Sequence, residues 1–275
     1  MTKKIICAVI ALTLLCGAVP ASGADSGSIP LPILMYHHIS EDPARLGSYV
    51  ISPATFEGDL KYLKDHGYTS VSARELLAWS QGNGQLPEKP VMITFDDGQL
   101  SFGVYAVPLL EKYGMCAIMS IVGKYADIYT ENHDENVNYA YFSWPALAQL
   151  VHSPAVELGA HTYDMHSLDT RRGCLINRGE SESDYSAALN RDLSEIEARF
   201  GEYLDFVPSV FAYPYGLYCS EASKVLRERG YNILFTCEEN VNHLCGTPDE
   251  LMKLGRYCRT SSADRAAFFA RMGIK

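Results

Sequence analysis

The chain has 275 residues and a formal net charge of −10, with 47% hydrophobic and 20% charged residues. This length allows one large hydrophobic core, so a single α/β domain is the simplest expectation. The acidic balance argues against nucleic acid or an anionic membrane surface as a partner, and it places no constraint on an uncharged one.

The first 24 residues have the pattern of a signal peptide. Lys3 and Lys4 precede an apolar run over 5–19 that is too short for a comfortable membrane span. Small residues at 22–24 form a cleavage site, with Ala21 as a second choice. An uncleaved N-terminal anchor is the alternative.

The domain organisation follows from this pattern. We predict a signal peptide over 1–24, a short polar linker over 25–31 and one domain over 32–275. The protein is then expected outside the cytoplasmic membrane, either secreted or held at the cell surface or in the periplasm. No membrane span is expected after cleavage, and we expect a monomer.

Predicted strands and helices alternate through the domain. The predicted strands cover 32–39, 69–71, 90–95, 116–122, 156–161, 207–213, 231–237 and 251–257. Helices are predicted to begin at Pro53, which Ser52 caps, and to cover 72–79, 101–113, 144–152, 183–200 and 220–229. The polar, tyrosine-rich stretch 127–141 is interpreted as a loop. Such alternation predicts a parallel sheet, but it does not separate a barrel from a doubly wound sheet.

Six cysteines remain after the predicted cleavage, and an even number in an exported protein permits disulfides. They are Cys116, Cys174, Cys219, Cys237, Cys245 and Cys258. The first of them lies in an apolar run and is interpreted as a buried free thiol. The last four cluster in the final quarter, which allows one or two bridges there.

An apolar run over 90–95 stops abruptly at Asp96, Asp97 and Gly98. We interpret it as a buried strand that ends in a sharp turn. Side chains alternate along a strand, so the two carboxylates should point in different directions. Adjacent carboxylates are costly unless a cation or hydrogen bonds stabilise them. Both a functional pair and an ordinary Asp-Asp-Gly turn are compatible with this stretch alone.

A second apolar run ends at His161 and is followed by His166. Two imidazoles and one carboxylate with open positions for water make a metal-binding set. We therefore predict a metal site formed by Asp97, His161 and His166, with Asp164 as the alternative third ligand.

Three ordered segments resemble the first three motifs of the polysaccharide deacetylases (carbohydrate esterase family 4, the NodB-homology domain). They are the TFDDG stretch 94–98, the two-histidine element 161–166 and the FAYPYG stretch 211–216. The opening segment 33–39 resembles the entry segment of an exported branch. The resemblance runs from about residue 32 to about 260. It implies a distorted (β/α) barrel of about seven parallel strands, which the alternation fits.

The resemblance also implies roles for individual residues. Asp96 is expected to be the general base, and the three predicted ligands are expected to hold a divalent metal. That metal is usually zinc, although cobalt, manganese or nickel can serve. The backbone N–H of Tyr215 is expected to stabilise an oxyanion. Tyr213, Pro214 and His37 are expected to contact substrate, although structural hydrogen bonding by His37 at its strand end is an open alternative.

The sequence departs from the family pattern at three points. The histidine spacing is five residues instead of four, which we interpret as a one-residue insertion before His166. Ala212 stands where an arginine usually orients the base, and Arg256 is a candidate replacement from the last predicted strand. The late leucine-histidine motif that supplies the general acid is missing. His37 is one candidate for this acid, whereas His243 lies in a loop-like stretch and is interpreted as structural or exposed.

The function implied is an exported, metal-dependent hydrolase with a glycan as its partner. It would remove N-acetyl groups from N-acetylglucosamine-type residues of cell-wall or surface polysaccharide. One rival is a catalytically impaired relative that binds glycan, and another is a metal-dependent deacetylase of O-acetyl or other acyl substrates. The tyrosines of 127–141 either line a sugar groove or are ordinary surface residues.

Overall fold

The computed structural model describes residues 27–275, and the predicted signal peptide over 1–24 lies outside the described residues. Within 27–275 the strands are β1 (Ile29–Leu31), β2 (Ile33–Tyr36), β3 (His38–Ile39), β4 (Val50–Ile51), β5 (Thr69–Ser70), β6 (Pro90–Phe95), β7 (Ala117–Ile121), β8 (Val156–Ala160), β9 (Val210–Ala212), β10 (Ile233–Phe235), β11 (Asn242–Leu244) and β12 (Tyr257–Cys258). The α-helices are α1 (Pro53–Asp65), α2 (Ala73–Ser80), α3 (Val107–Tyr113), α4 (Gly123–Asn132), α5 (Trp144–Leu150), α6 (Glu182–Leu204), α7 (Ser220–Glu228) and α8 (Arg265–Arg271).

Seven parallel strands form one curled sheet in the order β10-β9-β8-β7-β6-β2-β12, and β5 pairs with the first residues of β6. Helices cover the outside of this sheet, because the crossover connections between parallel strands are long enough to contain them. The arrangement confirms the predicted distorted (β/α) barrel of about seven parallel strands.

The two edges of the curled sheet are joined by the segment 254–258, which we call the seam. On one side Leu254 bridges Phe235 of β10 in parallel, with two backbone hydrogen bonds of 2.8 Å from Leu254 N to Leu234 O and from Thr236 N to Leu254 O. On the other side β12 pairs with β2. Residues near the chain's end therefore lie between two strands from distant parts of the sequence.

The first described strand corrects part of the predicted linker. Ile29–Leu31 form β1, which pairs antiparallel with β11, and the Leu31 side chain is fully buried. The polar character of 25–28 does not extend to these three residues.

Strand alternation divides the core into two layers. One layer contains Ile33, Met92 and Phe235 and fills the barrel interior, while the other contains Leu34 and Ile93 and packs beneath the outer helices. Because the alternation continues to the strand ends, it decides which side chains enter the barrel mouth.

Most predicted helices are present, and their caps explain where they begin. The Ser52 and Ser72 hydroxyls accept the N–H groups of Thr55 and Glu75, so α1 and α2 start where the sequence predicted. The helix predicted over 101–113 begins with a π-helical turn over 102–106, and α3 follows it.

Two predictions of local structure were wrong. The stretch 127–141 is not entirely loop, because α4 extends to Asn132. The strand predicted over 251–257 is a 3-10 turn over Pro248–Met252 followed by the short β12. A Thr247–Glu250 capping box stabilises that turn.

None of the helices in residues 27–275 combines the length and the apolar character needed to cross a bilayer. The same residues contain six free thiols, so the bridges considered for the last quarter of the chain are not formed in this structure. Cys116 is half-buried.

Candidate metal and catalytic site

Three tight turns at the carboxyl ends of parallel strands build the site. They follow β6, β8 and β9, and each contains a non-glycine residue in the left-handed region. These residues are Asp97 (φ 73°), Thr162 (φ 69°) and Tyr215 (φ 59°). Such conformations cost free energy outside glycine and cluster at functional sites. The three turns meet at the end of the barrel where enzymes of this architecture carry out their chemistry.

Alternation along β6 directs Asp96 into the barrel mouth. Asp96 continues the inward row of Met92 and Thr94, and its side chain is buried. The left-handed backbone of Asp97 then turns the chain, so its partly exposed carboxylate faces the two histidines. The predicted divergence of the two carboxylates is observed.

Asp97, His161 and His166 form one compact group. The Asp97 Oδ1 atom lies 3.5 Å from His161 Nε2 and 3.3 Å from His166 Nε2. One ligand atom from each residue lies within 4.8 Å of the other two, and among residues 27–275 this is the one such group of histidine, cysteine and acidic side chains. Asp164 is not part of it, because its exposed carboxylate pairs with Lys124 Nζ at 2.6 Å.

Each imidazole is oriented through its other nitrogen. His161 Nδ1 lies 2.7 Å from the carbonyl oxygen of Ala212, so this nitrogen carries the proton and Nε2 keeps its lone pair. His166 Nδ1 lies 3.2 Å from the Tyr215 hydroxyl and 3.4 Å from that of Tyr125. Both Nε2 atoms are thereby presented toward Asp97.

The charge states suit a cation. Burial lowers the pKa of His161 to about 4, so its imidazole is neutral at neutral pH. Burial alone would raise the pKa of the Asp97 carboxyl, but the hydrogen bond to His166 and the nearby His37 and His161 lower it overall. An ionised carboxylate beside two imidazoles whose Nε2 atoms face it is the donor set that zinc and similar divalent ions bind, with room for water. The residues present therefore fit a divalent metal.

A buried ion pair lies beside this group. The Arg256 guanidinium is fully buried and donates to both carboxylate oxygens of Asp96 at 2.7 Å. It also donates to the carbonyl oxygen of Thr236 at 3.0 Å and to Thr94 Oγ1 at 3.1 Å. Burial alone would raise the pKa of Asp96, but the arginine charge outweighs it and holds the pKa well below its ordinary value. The predicted approach of Arg256 from the last strand is observed, by way of the seam.

Asp192 of α6 anchors the loop between the two histidines. Its carboxylate accepts the backbone N–H groups of Tyr163 and Asp164, both at 2.7 Å. From the other side, Gly123 N and Lys124 N at the start of α4 donate to the carbonyl oxygens of 162 and 163 at 3.0 Å. The five-residue spacing is thus held in one conformation by two helices.

The site opens into a cavity of about 520 Å³. His37 lies in its wall with its ring 4.9 Å from that of Tyr49, and His37 Nδ1 is buried with no hydrogen-bond partner among the described residues. Besides the groups described above, the cavity is lined by Met35, Tyr49, Leu168, Tyr215, Cys237, Glu239 and Cys258.

Two residues predicted to contact substrate, Tyr213 and Pro214, lie elsewhere. The Tyr213 side chain is fully buried, and its hydroxyl lies 2.9 Å from Ser223 Oγ on α7. Pro214 is buried beside it, and neither residue lines the cavity. The prediction that these two side chains contact substrate was therefore wrong. For Tyr213 the reason is the alternation along β9, which turns its side chain away from the barrel mouth. His243 is exposed on β11 and borders a different pocket.

Several residues of the site were missed. Asp192 is one carboxylate among many on a long helix, and nothing in the sequence distinguishes it. Cys237 and Cys258 follow the inward rows of β10 and β12, so an exact strand register would have found them. That register depends on long-range pairing.

Comparison with known proteins agrees with this geometry. The sequence profile described as polysaccharide deacetylase matches residues 83–234, which is more than half of the chain. The chain is 25% identical over 227 residues to poly-beta-1,6-N-acetyl-D-glucosamine N-deacetylase of Escherichia coli K12, an alignment that covers 76% of this chain and 34% of that protein.

Two further relatives extend the comparison. The Staphylococcus aureus MRSA252 protein of the same name is 27% identical over 193 residues, which is 70% of this chain and 62% of that protein. The chain thus spans about a third and about three fifths of the length of these curated relatives. The solved structure of IcaB from Ammonifex degensii superposes with a TM-score of 0.72 at 26% identity, covering 90% of this chain and 97% of that one.

Proposed function

Because this chain belongs to the polysaccharide deacetylase family, we propose that it is a metal-dependent hydrolase that removes N-acetyl groups from N-acetylglucosamine residues of a polysaccharide. One observation carries the proposal. Asp97, His161 and His166, which fit a divalent metal and which we call the triad, line the same cavity as the buried, arginine-held carboxylate of Asp96. Hydrolysis of an acyl group is helped by a Lewis acid and a base that lie side by side, and a metal held by the triad together with Asp96 would supply both.

Asp97, His161 and His166 would hold the metal, which when bound supplies a Lewis acid and a water of lowered pKa. Zinc suits this donor set best, and cobalt, manganese or nickel are alternatives.

Asp96 acts as the general base in this scheme. Each carboxylate oxygen has two lone-pair positions, so each can accept from Arg256 and still face a second donor. The proton of the attacking water passes to this carboxylate as the water oxygen bonds to the carbonyl carbon. Arg256 keeps Asp96 ionised and fixes the direction of its lone pairs.

The remaining steps fall to Tyr215 and His37. Tyr215 lines the cavity in a left-handed turn, and its backbone N–H is proposed to stabilise the oxyanion. When the C–N bond breaks, the leaving amine takes up a proton. His37 is proposed as the donor, because its imidazole lies in the cavity wall and is not a member of the triad.

The substrate class is proposed from the names of the E. coli and S. aureus relatives. Those names specify β-1,6-linked N-acetylglucosamine polymers, and peptidoglycan offers the same acetamido group. Action at the cell surface, in the periplasm or in the medium rests on the signal-like pattern of 1–24.

The test is acetate release from β-1,6-linked N-acetylglucosamine oligomers and from peptidoglycan. The purified protein is assayed with zinc, with cobalt and after chelation. We expect metal-dependent release. Asp97→Ala should lose metal, whereas Asp96→Asn should keep metal and lose turnover. Asp164→Asn is the matched control from the same site region, and it should keep both metal and turnover.

Two outcomes would contradict the proposal. Full activity of Asp96→Asn would remove this residue as the base. No release from a folded, metal-loaded protein would instead favour a glycan-binding relative or a different acyl substrate, and an O-acetylated polymer assayed in parallel separates these two.

A further inference from the structure

A run of aromatic rings leads away from the triad along the surface of the protein. The Tyr215 ring lies 4.6 Å from that of His166, which lies 5.9 Å from Tyr125. The run continues from Tyr125 to Tyr141 at 4.5 Å and from Tyr141 to Tyr129 at 5.5 Å. We call Tyr125, Tyr129, Tyr139 and Tyr141 the tyrosine ridge.

Helix geometry and two hydrogen bonds fix the ridge in place. Tyr125 and Tyr129 are four residues apart on α4, so they lie one above the other on one face. Tyr141 packs against both rings, and the Tyr129 hydroxyl lies 3.5 Å from the carbonyl oxygen of Tyr139. The Tyr139 hydroxyl donates to Asp134 at 2.9 Å. Because the start of α4 is bonded to the loop between the histidines, the ridge keeps a constant position relative to the triad.

The ridge is not part of the hydrophobic core. Tyr139 is 45% exposed, while Tyr125, Tyr129 and Tyr141 are each partly exposed. A row of partly exposed rings offers flat apolar faces together with hydroxyl groups at their edges. Pyranose rings have apolar C–H faces and polar edges, so they match both features. A nucleic acid also stacks on such rings, but the net charge of −10 disfavours it.

We propose that the tyrosine ridge binds successive sugar residues of the same polymer whose acetamido group enters the cavity, on the α4 side of the residue being hydrolysed. The inference rests on the proposed function for the identity of the polymer. The ridge is continuous with the triad, because it begins at Tyr125, whose ring contacts that of His166, and extends outward from there.

The test uses the distal half of the ridge, which does not contact the histidines. Affinities of a β-1,6-linked N-acetylglucosamine pentamer and dimer are measured by calorimetry in the presence of a chelator, so that turnover does not interfere. Tyr129→Ala/Tyr139→Ala should weaken pentamer binding by about tenfold or more, which corresponds to about 1.4 kcal/mol of lost stacking. Dimer binding should change less than about twofold. Tyr129→Phe/Tyr139→Phe keeps the rings and should bind like the wild type, and Tyr68→Ala, at the opposite end of the barrel, is the surface control.

Each outcome bears on a separate claim. Unchanged pentamer affinity in the alanine variant would overturn the inference, and so would equal losses for both oligomers or a loss in the phenylalanine variant. If the alanine variant loses pentamer binding while the wild type releases no acetate, the catalytic proposal is wrong and the inference about the ridge is supported. If acetate is released and the alanine variant binds normally, the ridge fails and the catalytic proposal stands.

Discussion

Replacing Arg256 by methionine tests the physical basis of the buried ion pair. The variant removes four hydrogen bonds and leaves a buried carboxylate without its counter-charge. Breaking one partner of such a pair costs about 3–5 kcal/mol, so we expect the free energy of unfolding at pH 7 to fall by that amount. Methionine fills a similar volume, which keeps the cavity contribution small.

The pH dependence gives the sign of the effect. In the wild type the pKa of Asp96 is depressed on folding, so its stabilisation is present above the unfolded pKa near 3.9 and is lost as the pH falls below it. In Arg256→Met, burial without the arginine should raise the pKa of Asp96 above the unfolded value. As the pH rises from the unfolded pKa to this raised folded pKa, the buried carboxyl increasingly destabilises the folded state. The stability difference between variant and wild type should therefore shrink from pH 7 to pH 4.

The assay is urea unfolding of both proteins with chelator present, at several pH values. Arg227→Met breaks the exposed pair with Asp249 and should cost about 0–1 kcal/mol at every pH. Asp96→Leu combined with Arg256→Met removes both charges and should recover most of the lost stability. A cost below about 1 kcal/mol for Arg256→Met, or a difference that grows on acidification, would refute the reasoning.

Three further predictions address other parts of the molecule. Asp192→Asn replaces one of the two carboxylate oxygens that accept backbone N–H groups of the loop between the histidines by an NH₂ group, which cannot accept. Metal affinity, measured by chelator competition, should fall about 10- to 100-fold. The exposed Glu195→Gln on the same helix should bind metal normally, and equal affinities in both variants would contradict an anchoring role. Asp59→Asn leaves the arginines that pair with this buried carboxylate without its charge, and it should lower the free energy of unfolding in urea by about 3–5 kcal/mol. The exposed Asp65→Asn should cost less than about 1 kcal/mol, and similar costs for the two would argue against a strong pair. Iodoacetamide at neutral pH should alkylate the exposed Cys245 first, because burial raises the pKa of four other thiols. Peptide mass spectrometry measures the order of alkylation. A disulfide, or another cysteine that reacts first, would contradict this prediction.

The sequence predicts the features that depend on residues close together along the chain. The β-branched run before Asp96 identifies a strand, and the turn after it identifies the strand's carboxyl end. Parallel strands bring such ends together, so the grouping of Asp97 with His161 and His166 is predictable without coordinates. Their roles in metal binding and catalysis remain predictions.

The features that were mispredicted depend on distant contacts. The helix α4 begins at Gly123 and has no clean apolar period, and part of its first turn is satisfied by carbonyl groups of the loop between the histidines. The direction of the Tyr213 side chain depends on the parity of β9, which a shift of one residue reverses. The turn at Pro248 was predictable, because Thr247 and Glu250 have the spacing of a capping box.

The seam has a consequence for how the protein folds. It pairs β12 with β2 across about 220 positions of sequence, and the same late segment delivers Arg256 to Asp96. Closing so long a loop is slow, and native contacts of high sequence separation predict a low folding rate. During synthesis this edge of β2 has no partner until the seam, residues 254–258, has left the ribosome, and an unpaired strand edge invites association with other chains. The nascent chain should therefore be most vulnerable to aggregation before the seam emerges, so chaperone protection should matter most up to that point.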